Sequence, residues 1–162
     1  MSRTLIACVG NIFLGDDGFG VEVAQRLLRR EQKYPQGIDV IDFGIRGIEL
    51  AYSLLEGYET LVLVDTVSRG EPPGTVFLIE PDLSATSSDD SFALDAHSLD
   101  PVKVFAFART LGVPPIHTLL VGCEPASIDE MQMGLSEPVQ TAVGEAIKMI
   151  DALVADLCMP TT

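Results

Sequence analysis

Three stretches of this chain carry acidic or imidazole side chains in settings where they could meet. Asp16 and Asp17 lie in the glycine-rich run GNIFLGDDGFG, Asp65 ends the apolar run LVLVD, and His97 sits in DAHSLDP. Two carboxylates and an imidazole make an O, O, N donor set, which suits a first-row metal ion with vacant positions. The same residues have a plainer use, because an Asp after a strand commonly caps or turns the chain. Spacing alone leaves both readings open. Of the two histidines, His97 is the better ligand candidate, since His117 begins an apolar run and reads as structural. A thiol mechanism is a separate candidate: Cys123 stands beside Glu124 at the end of an apolar run, but no third residue is in view to orient an activating base. Gly15, Gly18 and Gly20 do not make a dinucleotide site. Their order is G-x-x-G-x-G rather than G-x-G-x-x-G, and two acidic residues stand where a phosphate would arrive.

These residues need elements to hold them. Thr4 to Val9 is continuously apolar and ends at Gly10-Asn11, the pattern of a strand buried on both faces. Val40-Ile41, Leu61 to Val64 and Leu119 to Val121 repeat it. Between the first two runs, Phe19, Val23 and Leu27 fall four apart with Ala24 and Leu28 on the neighbouring row, which predicts a helix over 19–31. A second helix is predicted from Ile48 to Leu55, closing at Gly57. The link from Asp65 to Thr75 is short and rich in Gly and Pro, too short for a parallel crossover, so the strand Thr75 to Ile79 is expected to run antiparallel to its predecessor. Residues 81–93 are polar and aperiodic and read as a loop. Asp100-Pro101 reads as a cap and first turn, with Val104, Phe105, Ala108 and Leu111 as the apolar stripe up to Gly112. Ser136 is placed to cap a last helix carrying Val139, Val143, Ile147, Ile150, Val154 and Leu157.

The expected fold is a three-layer α/β sandwich: a mostly parallel, twisted sheet of about five strands, one of them antiparallel, with helices on both faces. In such a sheet, ligands bind beyond the carboxyl ends of the strands. Asp17 and Asp42 follow strands and Asp65 ends one, and Asp17 and Asp65 can meet if their strands are parallel neighbours.

Composition bounds the function. The 162 residues suit a single domain spanning 1–162. A net charge of −14 argues against nucleic acid and anionic membranes as partners. Three scattered cysteines without a Cys-x-x-Cys pair fit reduced thiols. The N-terminal run lacks signal-peptide organisation and no stretch is long enough to span a bilayer, so a cytoplasmic protein is expected.

GNIFLGDDGFGVEVA, VIDFGIRGIEL, LVLVDTV, DAHSLDP and LLVGCEP occur in an order and at intervals that resemble the hydrogenase maturation proteases. The resemblance runs from about Leu5 to the final helix, and its first element is the most specific. It implies that Asp17, Asp65 and His97 form a metal site with a direct part in catalysis. It also implies an endopeptidase, aspartic-type or metal-dependent, that removes a C-terminal peptide from the large-subunit precursor of a nickel-iron hydrogenase. Nickel would arrive with that substrate rather than reside in the enzyme, and the lack of an H-E-x-x-H motif agrees. Asp16 and Asp42 become candidates for proton transfer, and Gly44 and Gly47 for a substrate loop. The enzyme is expected to be a monomer. A non-catalytic nickel-binding assembly factor is the alternative that the same ligands would serve.

Overall fold

The computed structural model describes residues 2–81 and 101–159. His97, residues 82–93 of the expected loop, and the expected cap Asp100 lie outside them. The strands are β1 (Thr4–Val9), β2 (Ile38–Gly44), β3 (Thr60–Thr66), β4 (Val76–Ile79) and β5 (His117–Cys123). The helices are α1 (Phe19–Arg29), α2 (Gly47–Ser53), α3 (Pro101–Thr110) and α4 (Glu137–Leu157). One sheet has the order β2-β1-β3-β5-β4, parallel throughout except for the β4–β5 pair.

Alternation along the central strands makes two cores. Ile6, Cys8, Val62, Val64, Val121 and Cys123 face α1 and α4, while Leu5, Ala7, Val9, Leu61 and Leu63 face α2 and α3. Both faces of β1 and β3 are therefore covered, which is why residues 5–9 and 61–64 are apolar at successive positions rather than at every second one. Each large aliphatic side chain so buried contributes about 1.5–3 kcal/mol relative to exposure.

Three sequence expectations shift in detail. β4 does run opposite to β3, but it is seated on the far side of β5, because β3 already has β1 and β5 as its two neighbours. Glu124 holds the connection: its buried Oε1 accepts the Arg69 and Glu71 N–H groups at 2.7 and 3.1 Å. Leu28 is half exposed, since Leu27 takes the core position and the next step around the helix carries Leu28 towards solvent. Ser136 occupies the N-cap position of α4, yet its hydroxyl is turned to Asp16 rather than to the helix backbone.

Two glycines set how closely the elements approach. A methyl group on Gly20, in the first turn of α1, would lie 2.2 Å from the Val9 carbonyl oxygen and 2.6 Å from that of Val64. Only a residue without Cβ lets the start of α1 rest directly on the ends of β1 and β3. Gly10, at φ +154°, has the Asp17 carbonyl 2.0 Å from where a Cβ would stand. The loop between β1 and α1 is therefore folded back onto the end of its own strand. Cys8 and Cys123 are buried free thiols and Cys158 is an exposed one. No helix among the described residues is long and apolar enough to cross a membrane.

Candidate functional site

β1 and β3 are parallel neighbours in a register that ends at Cys8 opposite Val64. The loop leaving β1 and the last two residues of β3 thus emerge side by side. Asp17 lies in a 3-10 turn, Gly15–Gly18, that leads into α1. One of its carboxylate oxygens accepts the Asn11 N–H at 3.0 Å, and the other accepts the Thr66 hydroxyl at 3.0 Å. Asp65 Oδ1 accepts the Thr66 N–H at 2.7 Å. The structure therefore brings Asp17 and Asp65 to one place, with Thr66 bonded to both.

Their electrostatics are unfavourable without a cation. Burial, and then the charge of Asp17, hold the Asp65 carboxyl well above the usual carboxylate range, while hydrogen bonding to Thr66 pulls the other way. A positive ion between the two would relieve both effects. Among the described residues no three His, Cys, Asp or Glu side chains converge on one point. The two aspartates are part of the expected set, and His97 lies outside those residues.

Asp16, adjacent in sequence, is placed quite differently. Only 2 % exposed, it accepts the Ala126 N–H at 2.7 Å, the Ser136 N–H at 2.6 Å and the Ser136 hydroxyl at 2.9 Å. It ties the β1–α1 loop to the entry of α4. The same loop is clasped by the segment after β5, where the Gly15 N–H donates to the Gln132 carbonyl and the Gln132 N–H to that of Phe13. Of the two candidates for proton transfer, Asp16 is the one whose oxygens are taken by three donors.

Asp42 is opposite Cys8 across the β1–β2 pair, on the other side of β1 from β3. Two inter-strand spacings put it on the order of 10 Å from the end of β3. Its side chain accepts one N–H, from Gly44 at 2.9 Å. Gly44 and Gly47 bracket a tight turn: the Arg46 N–H and guanidinium both donate to the Phe43 carbonyl, and Arg46 pairs with Glu49. Gly44 ends β2, Gly47 begins α2, and the Gly10 N–H donates to the Gly44 carbonyl at 2.9 Å, joining this turn to the loop that carries Asp17.

A cysteine nucleophile does not fit. Cys123 is buried, and burial with the nearby charges of Asp16, Glu124 and Glu145 pushes its thiol up to about 12, so the thiolate is scarce at neutral pH. His117 starts β5, far from that strand's carboxyl end, with Nε2 3.2 Å from a Glu80 carboxylate oxygen. A recess of about 300 Å³ beside it, walled by Phe105, Val113 and Ile116, is at the opposite end of β5 from the aspartates.

Three supporting residues have no site role in the sequence expectations: Asn11, Thr66 and Ser136, the last expected only as a helix cap. Asn11 and Thr66 each directly follow a singled-out motif residue, Gly10 and Asp65, which was the available signal. For the link from Ser136 to Asp16 there was no signal, because the two are 120 positions apart.

Residues 21–152 match the family described as hydrogenase maturation protease. The hydrogenase expression/formation protein HupM of Azotobacter chroococcum is 30% identical over 152 residues, 94% of this chain and 71% of the relative. Among solved structures, the hydrogenase 2 maturation peptidase from a Thaumarchaeota archaeon is 32% identical with a TM-score of 0.68, covering 94% of this chain and 98% of that one. The hydrogenase maturating endopeptidase HybD from E. coli is 26% identical with a TM-score of 0.75, covering 96% and 94%. With this sheet order and these matches, the chain belongs to the hydrogenase maturation protease family.

Proposed function

We propose that this chain is an endopeptidase that removes a C-terminal peptide from the large-subunit precursor of a nickel-iron hydrogenase after nickel insertion. Asp17, Asp65 and His97 grip the nickel, which is part of the substrate. The observation that carries this reading is the pair of neighbouring carboxylates at the end of β3, both hydrogen-bonded to Thr66, with burial and the charge of Asp17 disfavouring the charged form of Asp65. Such a pair gains from a cation that arrives with open positions, and the two oxygens and one imidazole leave several positions to the substrate's own ligands. A precursor without its ion would leave the pair uncompensated and bind weakly.

The surroundings suit a polypeptide. Ile12 and Phe13 on the β1–α1 loop, Ile45 and Ile48 after β2, and Met131 and Met133 after β5 are all exposed. Apolar side chains left in water around a polar site are the usual mark of a protein-binding surface, and methionines adapt readily to an extended chain. For the hydrolysis itself, the ion can polarise the scissile carbonyl or make water more acidic. Asp42, with one oxygen bonded to Gly44 and its carboxylate level with the strand ends, is the better placed of the two carboxylates to move a proton. Asp16 is assigned to positioning.

Incubation with a nickel-loaded precursor, read by the mass of the large subunit, tests the proposal. Loss of a C-terminal peptide is expected from the loaded precursor and not from the nickel-free one. An unchanged mass, with the precursor still bound, would replace the peptidase by a non-catalytic nickel-binding assembly factor.

A further inference from the structure

We propose that Thr66 is a positioning residue that fixes the rotamer of Asp17 relative to Asp65, and so sets the grip before any ion arrives. The inference rests on the reading of Asp17 and Asp65 as that grip. Thr66 holds the Asp65 carboxylate through its backbone N–H at 2.7 Å and the Asp17 carboxylate through its hydroxyl at 3.0 Å. One residue therefore links two acidic side chains that come from different elements, the turn before α1 and β3.

The need for such a link follows from charge. Two carboxylates brought together repel, and an Asp side chain can relieve repulsion by turning about χ1. Asp17 has two restraints against this: the Asn11 N–H on one oxygen and the Thr66 hydroxyl on the other. The first belongs to Asp17's own loop and moves with it. Only the second refers Asp17 to β3, where Asp65 is.

Thr66 is well suited to the task. It is the last residue of β3, with Cys123 of β5 opposite it in the register, so its backbone is held by the sheet. A β-branched side chain has few χ1 choices there, which aims the hydroxyl. Donation to Asp17 uses the one hydroxyl proton and leaves each carboxylate with lone pairs for an ion.

The test compares Thr66→Val, which keeps the branched shape without the donor, with Thr66→Ser, which keeps the donor. Cleavage of nickel-loaded precursor is expected to show KM raised about tenfold in the Val variant with kcat changed less, as fits loss of a hydrogen bond to a charged group. The Ser variant should stay within about threefold of the parent. Thermal melting of both should stay close to that of the parent, which separates positioning from general stability. In an Asp17→Glu background, whose longer arm moves the carboxylate off this hydroxyl, the difference between Val and Ser should vanish. Independently of turnover, the NMR couplings of Asp17 should report one χ1 rotamer in the parent and the Ser variant and averaging in the Val variant. If Thr66→Val does not fold, Thr66→Ala is read in its place. A single retained rotamer in the donor-free variant, or a KM within twofold of the parent, overturns the proposal. A parent that neither binds nor cleaves the loaded precursor sinks the functional reading instead, and the rotamer measurement still decides the role of Thr66.

Discussion

Gly20→Ala tests whether the seating of α1 sets the spacing of the two aspartates. The added methyl carbon would stand 2.2 Å from the Val9 carbonyl oxygen and 2.6 Å from that of Val64. Both obstacles are backbone atoms of central strands, so neither can swing aside. To reach even 3.0 Å from the first, α1 must withdraw by 3.0 − 2.2 = 0.8 Å. Overpacking of this kind costs about 1–3 kcal/mol. For a domain of this length each kcal/mol lowers the melting temperature by about 2–4 °C, so a drop of several degrees is expected. The withdrawal also carries Asp17, three residues upstream, away from Asp65. Misplacement on the order of 1 Å can cost about a hundredfold in rate, so cleavage of the loaded precursor should fall by far more than the loss of stability alone would cause. Gly144→Ala is the control: in α4 an added Cβ meets nothing within 4 Å, and the variant should gain about 0.5–1 kcal/mol from helix propensity with activity unchanged. Thermal melting and the precursor mass assay read both variants. A Gly20→Ala protein that melts and cleaves like the parent would refute the claim that this contact sets the site.

Asp65→Asn should melt higher than the parent at pH 7 while losing nickel-dependent cleavage. The folded protein favours the protonated carboxyl, and that stability is complete below the unfolded value and lost as pH rises through the raised folded one, so the difference should shrink towards pH of about 3.9. A lower melting temperature at pH 7 contradicts the stated cause of the shift. Asp16→Ala strands three donors at a buried position and should cost roughly 3 kcal/mol or more in urea unfolding. A loss below about 1 kcal/mol would mean that the tie to Ala126 and Ser136 carries little weight. Cys123→Ala should still cleave the loaded precursor, because its thiol is held near 12. Abolished cleavage in a folded Cys123→Ala protein would restore a thiol mechanism.

The strands and helices were legible because burial on both sheet faces leaves a simple imprint. β1 and β3 read as unbroken apolar runs, and the stripe Phe19, Val23, Leu27 marked the inner face of α1. Strand order was not legible. Nothing in residues 66–75 says that the chain passes over the end of β5 before turning back, since that path depends on Glu124, over fifty positions later, accepting the Arg69 and Glu71 N–H groups. The site shows the same division. Asp17 and Asp65 could be singled out because one lies in the loop after a strand and the other ends an apolar run. The contrast between Asp16 and Asp17 could not, because neighbouring identical residues differ only in which way the 3-10 turn points them. One is directed to Ser136 and the other to Thr66.

That contrast bears on how the site would discriminate. A protein could keep its carboxylates apart and let an ion draw them together, but ordering them at that moment would weaken binding of the correct partner. Here the ordering is already present: Gly20 seats the helix, Asp16 anchors the loop, and Thr66 joins the two acidic side chains. Burial and the proximity of Asp17 are then a standing disadvantage to the charged form of Asp65 that a cation relieves. On the proposed reading, a nickel-loaded precursor gains that relief and an empty one does not, so discrimination comes as much from the unfavourable state left by the wrong partner as from contacts with the right one. None of the three residues that create this bias need touch the ion. Selectivity for the loaded precursor should therefore be lost by changes at Gly20, Asp16 or Thr66 that leave both aspartates in place.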